Sequence, residues 1–327
     1  MTRLLSLLTL PLLLAACTTV PDDDAGTLYH YRLSAGQPDA NQGELTLTQA
    51  VERVADADIV LVGELHTHPA VHLLQARLLA GLANTSPADG RGLALSMEQF
   101  SRADQPVLDA YLAGRIGEAA LIRDGNAWPN YQSDYRPLVE FARQQHLPVI
   151  AANAPKPLVS CVGQEGPAWL DKLPAHRRSQ LARELTLTDD PYRQKFMASL
   201  HHGDADDNAR RFAAQTSWDD TMAESMVDYL NSHPGQRIMH IAGNFHVEGG
   251  LGLASRIASR NPALKVALVV PETEAQRDAH ATSGRTADIR VRISPLPERW
   301  LNADEMKQDM IALHQSRSRD CSQWLQP

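Results

Sequence analysis

The sequence predicts an α/β fold: a largely parallel sheet flanked by helices, with a helical insertion lobe. Two observations lead there. Short apolar runs recur at 58–62, 92–97, 147–152, 237–243 and 264–270, the first of them β-branched, and helix-length stretches stand between them. Each run is apolar at nearly every position rather than at alternate ones, the pattern of strands covered on both faces. No Pro/Gly/Ser linker interrupts 27–327, so one domain is expected there, with the insertion at about 156–232.

Taken in order, 27–34 alternates between apolar and polar positions and suggests an edge strand. A short helix over 47–55 follows, capped by Thr46 or Thr48. The buried strand 58–62 runs into Gly63, and a helix over 69–83 carries Pro69 in its first turn, where proline is tolerated. After the strand 92–97, helices are expected at 104–113 and 136–145, then the strand 147–152. A long helical region covers about 174–231; in it Phe212, Gln215, Trp218, Met222, Met226 and Tyr229 recur at intervals of three and four, an amphipathic stripe. Strands at 237–243 and 264–270, an alternating edge strand at 288–294 and a helix over 302–315 capped by Asn302 complete the chain.

The first twenty residues are an address. Arg3 precedes an apolar run over 4–14 that is too short to span a bilayer and ends in Leu14-Ala15-Ala16-Cys17. That ending resembles the bacterial lipobox, which implies a signal peptide over 1–16, a diacylated Cys17 and, with Thr18 next, the outer membrane. Residues 17–26, with three consecutive aspartates, form a solvated tether. An ordinary signal peptide with an incidental cysteine is the alternative. Lipidation would leave Cys161 and Cys321 free to form a disulfide in an oxidising compartment, or to remain buried thiols.

Charge excludes one class of partner. Lys+Arg is 31 against Asp+Glu 39, a net −8 that becomes −9 once Arg3 is removed with the leader. Nucleic acid demands a broad basic field that such a chain lacks.

In open parallel sheets, ligands bind at the carboxyl ends of the strands. Here those ends carry Glu64 and His66, Glu98 and Gln99, Asn153, then Asn244 and His246. Glu64, His66, Glu98 and His246 make a mixed nitrogen and oxygen set suited to a divalent metal, or a general base with its orienting carboxylate. A satisfied internal hydrogen-bond network is the plainer alternative. Glycine-rich nucleotide loops, Gly-x-Ser-x-Gly and His-Glu-x-x-His are all missing from the sequence. His68 and His72 would share a helix face, and His201-His202 heads an acidic loop. A third group, Trp128, Tyr131, Tyr135 and Arg136, could supply a haem with a phenolate ligand, a ring face and a partner for its propionates; an aromatic contact at a loop–helix junction is the alternative.

Several of these pieces resemble one family. Gly63-Glu64-Leu65-His66 with His72 and Gln75, then Leu95-Ser96-Met97-Glu98-Gln99-Phe100 with Gln105 and Leu108, resemble the ChaN-like haem-binding lipoproteins. So do Trp128 with Tyr135-Arg136-Pro137-Leu138, 148–155, Gln215 with Trp218-Asp219 and Met222-Ala223, and 240–252, all in order between about 45 and 270. The last 50 residues add nothing to the likeness. The resemblance implies an extracytoplasmic protein of haem uptake or storage, a homodimer holding paired haems between subunits, and a tyrosine on iron. Tyr135 lies in the matching piece and Tyr131 is its neighbour; His68, His72 and His202 are candidates for an assisting histidine from a partner subunit. An outer-membrane haem transporter is an expected partner. Arg123 or Arg136 would provide the local cation that an acidic chain needs to hold haem propionates. The wider group also resembles Tiki-type proteases and erythromycin esterases, which use Glu/His pieces at the positions of Glu64, His66 and His246. A metal-dependent hydrolase is therefore the alternative function, and an envelope interaction protein with a vestigial pocket a third.

Overall fold

The computed structural model describes residues 26–36, 43–85, 90–200, 203–279, 285–315 and 320–326. The expected leader, Cys17 and most of the expected tether, together with His201 and His202, lie outside the described residues. Seven strands form one sheet: β1 (Tyr31–Ala35), β2 (Ile59–Glu64), β3 (Gly92–Ser101), β4 (Val149–Asn153), β5 (Gln236–Gly243), β6 (Val266–Glu272) and β7 (Ile289–Ile293), in the order β1-β7-β6-β2-β5-β3-β4. All pairs are parallel except β1 with β7. The expected mostly parallel α/β sheet is therefore present, with 27–34 realised as a shorter antiparallel edge.

The helices are α1 (Leu47–Val54), α2 (Pro69–Asn84), α3 (Gln105–Leu112), α4 (Glu118–Asp124), α5 (Arg136–Gln144), α6 (Lys156–Glu165), α7 (Ala175–Arg178), α8 (Pro191–Ala198), α9 (Ala205–Ser232), α10 (Asn244–Val247), α11 (Leu253–Arg260), α12 (Glu274–Ala279) and α13 (Ala303–Gln315). Thr46 caps α1: its hydroxyl accepts from the Gln49 N–H at 3.2 Å, and the Gln49 side chain accepts from the Thr46 N–H at 2.8 Å. The continuous helical stretch expected from 174 is broken. Pro174 and Pro191 begin new helices, and Asp190 and Asp204 cap α8 and α9 by accepting from the N–H groups of Arg193 and Asp207. Helices α4 and α11 have no counterpart in the sequence-based expectation.

Period-two alternation divides the core between the two faces of the sheet. Val60, Val62, Leu95, Met97, Met239 and Ile241 pack towards α2 and α5. Ile59, Leu61, Ala94, Ile238 and Ala242 pack towards Met222, Ala223 and Met226 of α9 and Leu253 and Ile257 of α11. The helical insertion thus stands between β4 and β5, and its longest helix lies against the sheet. Each fully buried side chain of this size contributes roughly 1.5–3 kcal/mol. At the β4 edge, where unpaired backbone groups would invite another strand, the Gln105 side chain fills the ladder: it accepts from Ala151 N–H at 2.7 Å and donates to Val149 O at 2.9 Å.

Cys161 of α6 and Cys321 are joined in a disulfide, Cα–Cα 5.7 Å, which ties the C-terminal turn to the insertion across 160 residues of sequence. Among the described residues no helix is long and apolar enough to cross a membrane. Replacing both cysteines by serine is expected to lower the unfolding free energy by about 2–4 kcal/mol, because the open chain regains loop entropy when unfolded. A drop in the urea midpoint, with a steeper slope because the unfolded chain is less compact, checks this.

Candidate functional site

Connections from the neighbouring strands β2 and β5 leave to opposite faces of the sheet, β2 into α2 and β5 towards α11. A crevice opens at the carboxyl ends of two such strands, and it lies here between Glu64 and Gly243. The candidate site occupies it.

Alternation puts Glu64 on the α2 side, and it is buried. A carboxylate out of water needs donors, and four elements supply them. Its Oε1 accepts from the Tyr135 hydroxyl at 2.7 Å, His66 Nδ1 at 2.7 Å and Gln99 Nε2 at 3.2 Å. Its Oε2 accepts from Gln75 Nε2 at 2.8 Å. Gln75 is oriented in turn by His72, whose Nδ1 lies 3.0 Å from Gln75 Oε1. Burial alone would raise the Glu64 pKa; hydrogen bonds from His66 and Gln75 and the nearby imidazoles outweigh it, so the group sits below its ordinary range.

Tyr135 ends a single π turn, Tyr131–Tyr135, a local irregularity that brings its hydroxyl to Glu64. Edge-on aromatic contacts hold the group together: His72–Tyr135 at 5.3 Å, Trp128–Tyr135 at 6.0 Å and His66–Trp128 at 5.3 Å between ring centres. Both Tyr131 and Tyr135 are fully buried, and burial pushes both phenols well above their ordinary pKa. His66 differs: its side chain is 48% exposed. Burial would lower the His66 pKa, but the Glu64 hydrogen bond and the charge of Glu98 raise it. His66 is presented by a turn in which Thr67 adopts φ +68°, a strained conformation for a β-branched residue and one that clusters at functional sites.

The other face carries a second group. Glu98 Oε2 accepts from the Gly243 N–H at 2.6 Å, and its Oε1 lies 3.8 Å from His246 Nε2. His246 donates through Nδ1 to Asp219 at 2.8 Å, and Asp219 also accepts from the Tyr192 hydroxyl at 2.7 Å. Burial would lower the His246 pKa; the charge of Asp219 and its hydrogen bond prevail and raise it to about 9. The two groups meet at Gly243. A Cβ there would sit 3.2 Å from His66 Nε2 and 3.6 Å from His246 Cδ2, so glycine leaves room for both imidazoles.

The structure thus brings together Glu64, His66, His72, Trp128 and Tyr135, and joins Glu98 and His246 to them across Gly243. Tyr131 lies beneath, edge-on to Phe100 at 6.0 Å. His68 is drawn away: it is buried at the start of α2 with Nε2 2.8 Å from Ser294 O. Arg136 pairs with Glu118 at 2.5 Å, and Arg123 with Asp124 at 2.7 Å. The expected metal set is not assembled. Among the described residues no three His, Cys, Asp or Glu side chains are arranged to hold a metal ion. The physical reason is that strand alternation puts Glu64 and Glu98 on opposite faces of the sheet, and Glu98 Oε1 stays 3.8 Å from His246 Nε2. Sequence reasoning quoted Asp219 within a family-like piece but gave it no role, and it missed Tyr192. An available signal was an acid at helical spacing from Gln215 and Met222 in an otherwise apolar stripe.

Residues 50–257 match the model of a family described as haem-binding uptake, Tiki superfamily, ChaN. The chain belongs to that family. The match runs from α1 into α11 and includes every residue of both groups. The ChaN-family chain is also similar to a solved structure described as cofacial heme binding to ChaN of Campylobacter jejuni, with 14% identity, a TM-score of 0.61, and 81% of this chain and 97% of that one covered. At that identity the likeness is one of fold. No curated protein matches this member of the family.

The pH dependence of stability follows from two histidines. Burial holds His240, whose Nδ1 lies 2.9 Å from Ser96 Oγ, down at about 3. The unfolded chain therefore takes up a proton below pH 6.5 that the fold refuses, and stability falls from there towards pH 3. His246, raised to about 9, contributes stability that is complete below pH 6.5 and is lost as pH rises through 9. Urea unfolding across this range should show a maximum near pH 6.5, and Asp219→Asn should flatten the alkaline limb. An unchanged alkaline limb in that variant would contradict the assignment.

Proposed function

We propose that the chain is a lipid-anchored haem-binding protein of the bacterial envelope that takes part in haem and iron uptake or storage. Membership of a haem-binding uptake family over 50–257 carries this reading. The lipobox at 14–17 supports anchorage through Cys17, with Thr18 favouring the outer membrane. A homodimer and an outer-membrane haem transporter are the partners this reading expects.

Haem iron is a hard centre, and a phenolate is a hard ligand. Tyr135 is the phenol supported best, because the acceptor for its proton is already in place: Glu64 Oε1, 2.7 Å away. Tyr131 is the second candidate. Its hydroxyl is buried and makes no hydrogen bond. Tyr135 is closed over in this conformation, so its use requires neighbours such as Trp128 and His66 to yield. His66 is the accessible imidazole of the group, and His72 lies one layer deeper with Nε2 3.4 Å from Asp134 Oδ2.

Hemin titrated into the purified mature chain should give a saturable Soret shift. Tyr135→Phe is expected to change the band and weaken binding at least tenfold, and Tyr131→Phe to do so less. Size-exclusion chromatography of the loaded protein should report a dimer. No saturable shift would sink the proposal. A stoichiometric divalent metal lost in His246→Ala, with no haem binding, would establish the hydrolase in its place.

A further inference from the structure

We propose that the carboxyl end of the sheet, where the chain enters the domain, faces and touches the lipid bilayer. This rests on the anchorage through Cys17 proposed above and adds an orientation to it.

The strand register sets the geometry. Val62 pairs with Val269, and two residues further along the same parallel strands stand Glu64 and Pro271; Pro271 pairs with Val291, and Val291 with Leu33. Because β1 alone is antiparallel, Tyr31 stands about two residues beyond that level, at the same end as Glu64. The chain therefore enters the domain at the end of the sheet that holds the site. Entry is also close to the site laterally: Ala70 N–H, at the start of α2, donates to Leu28 O at 3.0 Å. His66 lies only four residues before Ala70.

Tether length then restricts what can touch the membrane. Nine residue steps from Cys17 to Gly26 reach at most about 30 Å. A domain of this size is roughly 50 Å across. Such a tether cannot pass around the domain to lay the opposite, amino end of the sheet on the bilayer. The face beside the entry point is suited to the surface it would meet. Leu28 is 37% exposed and Tyr29 54%, an aliphatic and an amphipathic aromatic side chain of the kind that settle at a membrane interface. The segment that leaves β7 at this same end carries Leu301, 78% exposed.

Hydrogen exchange on the anchored protein tests this. The mature chain beginning at Cys17, with its 161–321 bridge formed, is coupled through its one remaining thiol to a maleimide lipid in phosphatidylethanolamine–phosphatidylglycerol vesicles. Coupling by hand makes the result independent of whether cells lipidate Cys17, and hemin binding is measured on the same sample. Amides of 27–30 and 65–70 should exchange at least threefold more slowly than in the uncoupled chain, and those of 231–235 and 262–265 at an unchanged rate. Leu28→Glu with Tyr29→Glu, both at exposed positions, should abolish the slowing while hemin binding persists. Slowing at 231–235, or at neither end, overturns the proposal. Equal slowing without vesicles at high protein concentration also overturns it and assigns the face to a second copy of the chain.

Discussion

One buried carboxylate organises this end of the molecule. Moving an ionised carboxyl group out of water costs several kcal/mol even after relaxation, and only donors in good geometry offset it. Glu64 obtains four, and no two come from the same element: Tyr135 from the π turn, Gln75 from α2, Gln99 from β3, and His66 from the loop just beyond β2. Hydrogen bonds to a charged group are worth roughly 1.5–3 kcal/mol each. The site's shape therefore depends on one charge: move any donor and a buried anion is left short of a partner.

The two faces of the sheet then explain why the site has two halves. Strand alternation sends Glu64 and Gln99 towards α2, and Glu98 towards α9. A compact cluster on one face could not contain all three. The bridge is made above the strand ends, where His66 and His246 approach Gly243. On the α9 side the roles of charge reverse. Asp219 holds His246 in its protonated form, so the buried cation is the imidazole and the carboxylate is its support.

The fold was legible because its signals are local. Apolar β-branched runs, a threonine before a helix and prolines at first turns act over a few residues, and β2, α1 and α2 fall where those signals put them. The strand-end positions of Glu64, His66, Glu98 and His246 were legible for the same reason. Their partners were not. Tyr135 reaches Glu64 across 71 residues, and Asp219 reaches His246 across 27; no periodicity encodes such pairings. His68 shows the opposite error, a histidine at the expected spacing captured instead by the carbonyl of Ser294, 226 residues away. Helix α11 was hidden behind the glycines at 249, 250 and 252, which in the structure shape the turns that lead into it.

Charge bears last on how an acidic chain could hold an anionic porphyrin. The general field of a chain of net charge −8 opposes it, so a local cation would be the natural remedy. Yet the local cations are already matched: Arg123 to Asp124, Arg136 to Glu118, His66 to Glu64 and His246 to Asp219. A paired cation offers an incoming carboxylate little, because the new bond must displace an existing one. Affinity for haem in such a site has to come from iron ligation and from burial of the ring against groups such as Trp128. In the proposed haem-binding role, Tyr135, with Glu64 Oε1 2.7 Å away as acceptor for its proton, is the group that would meet the iron.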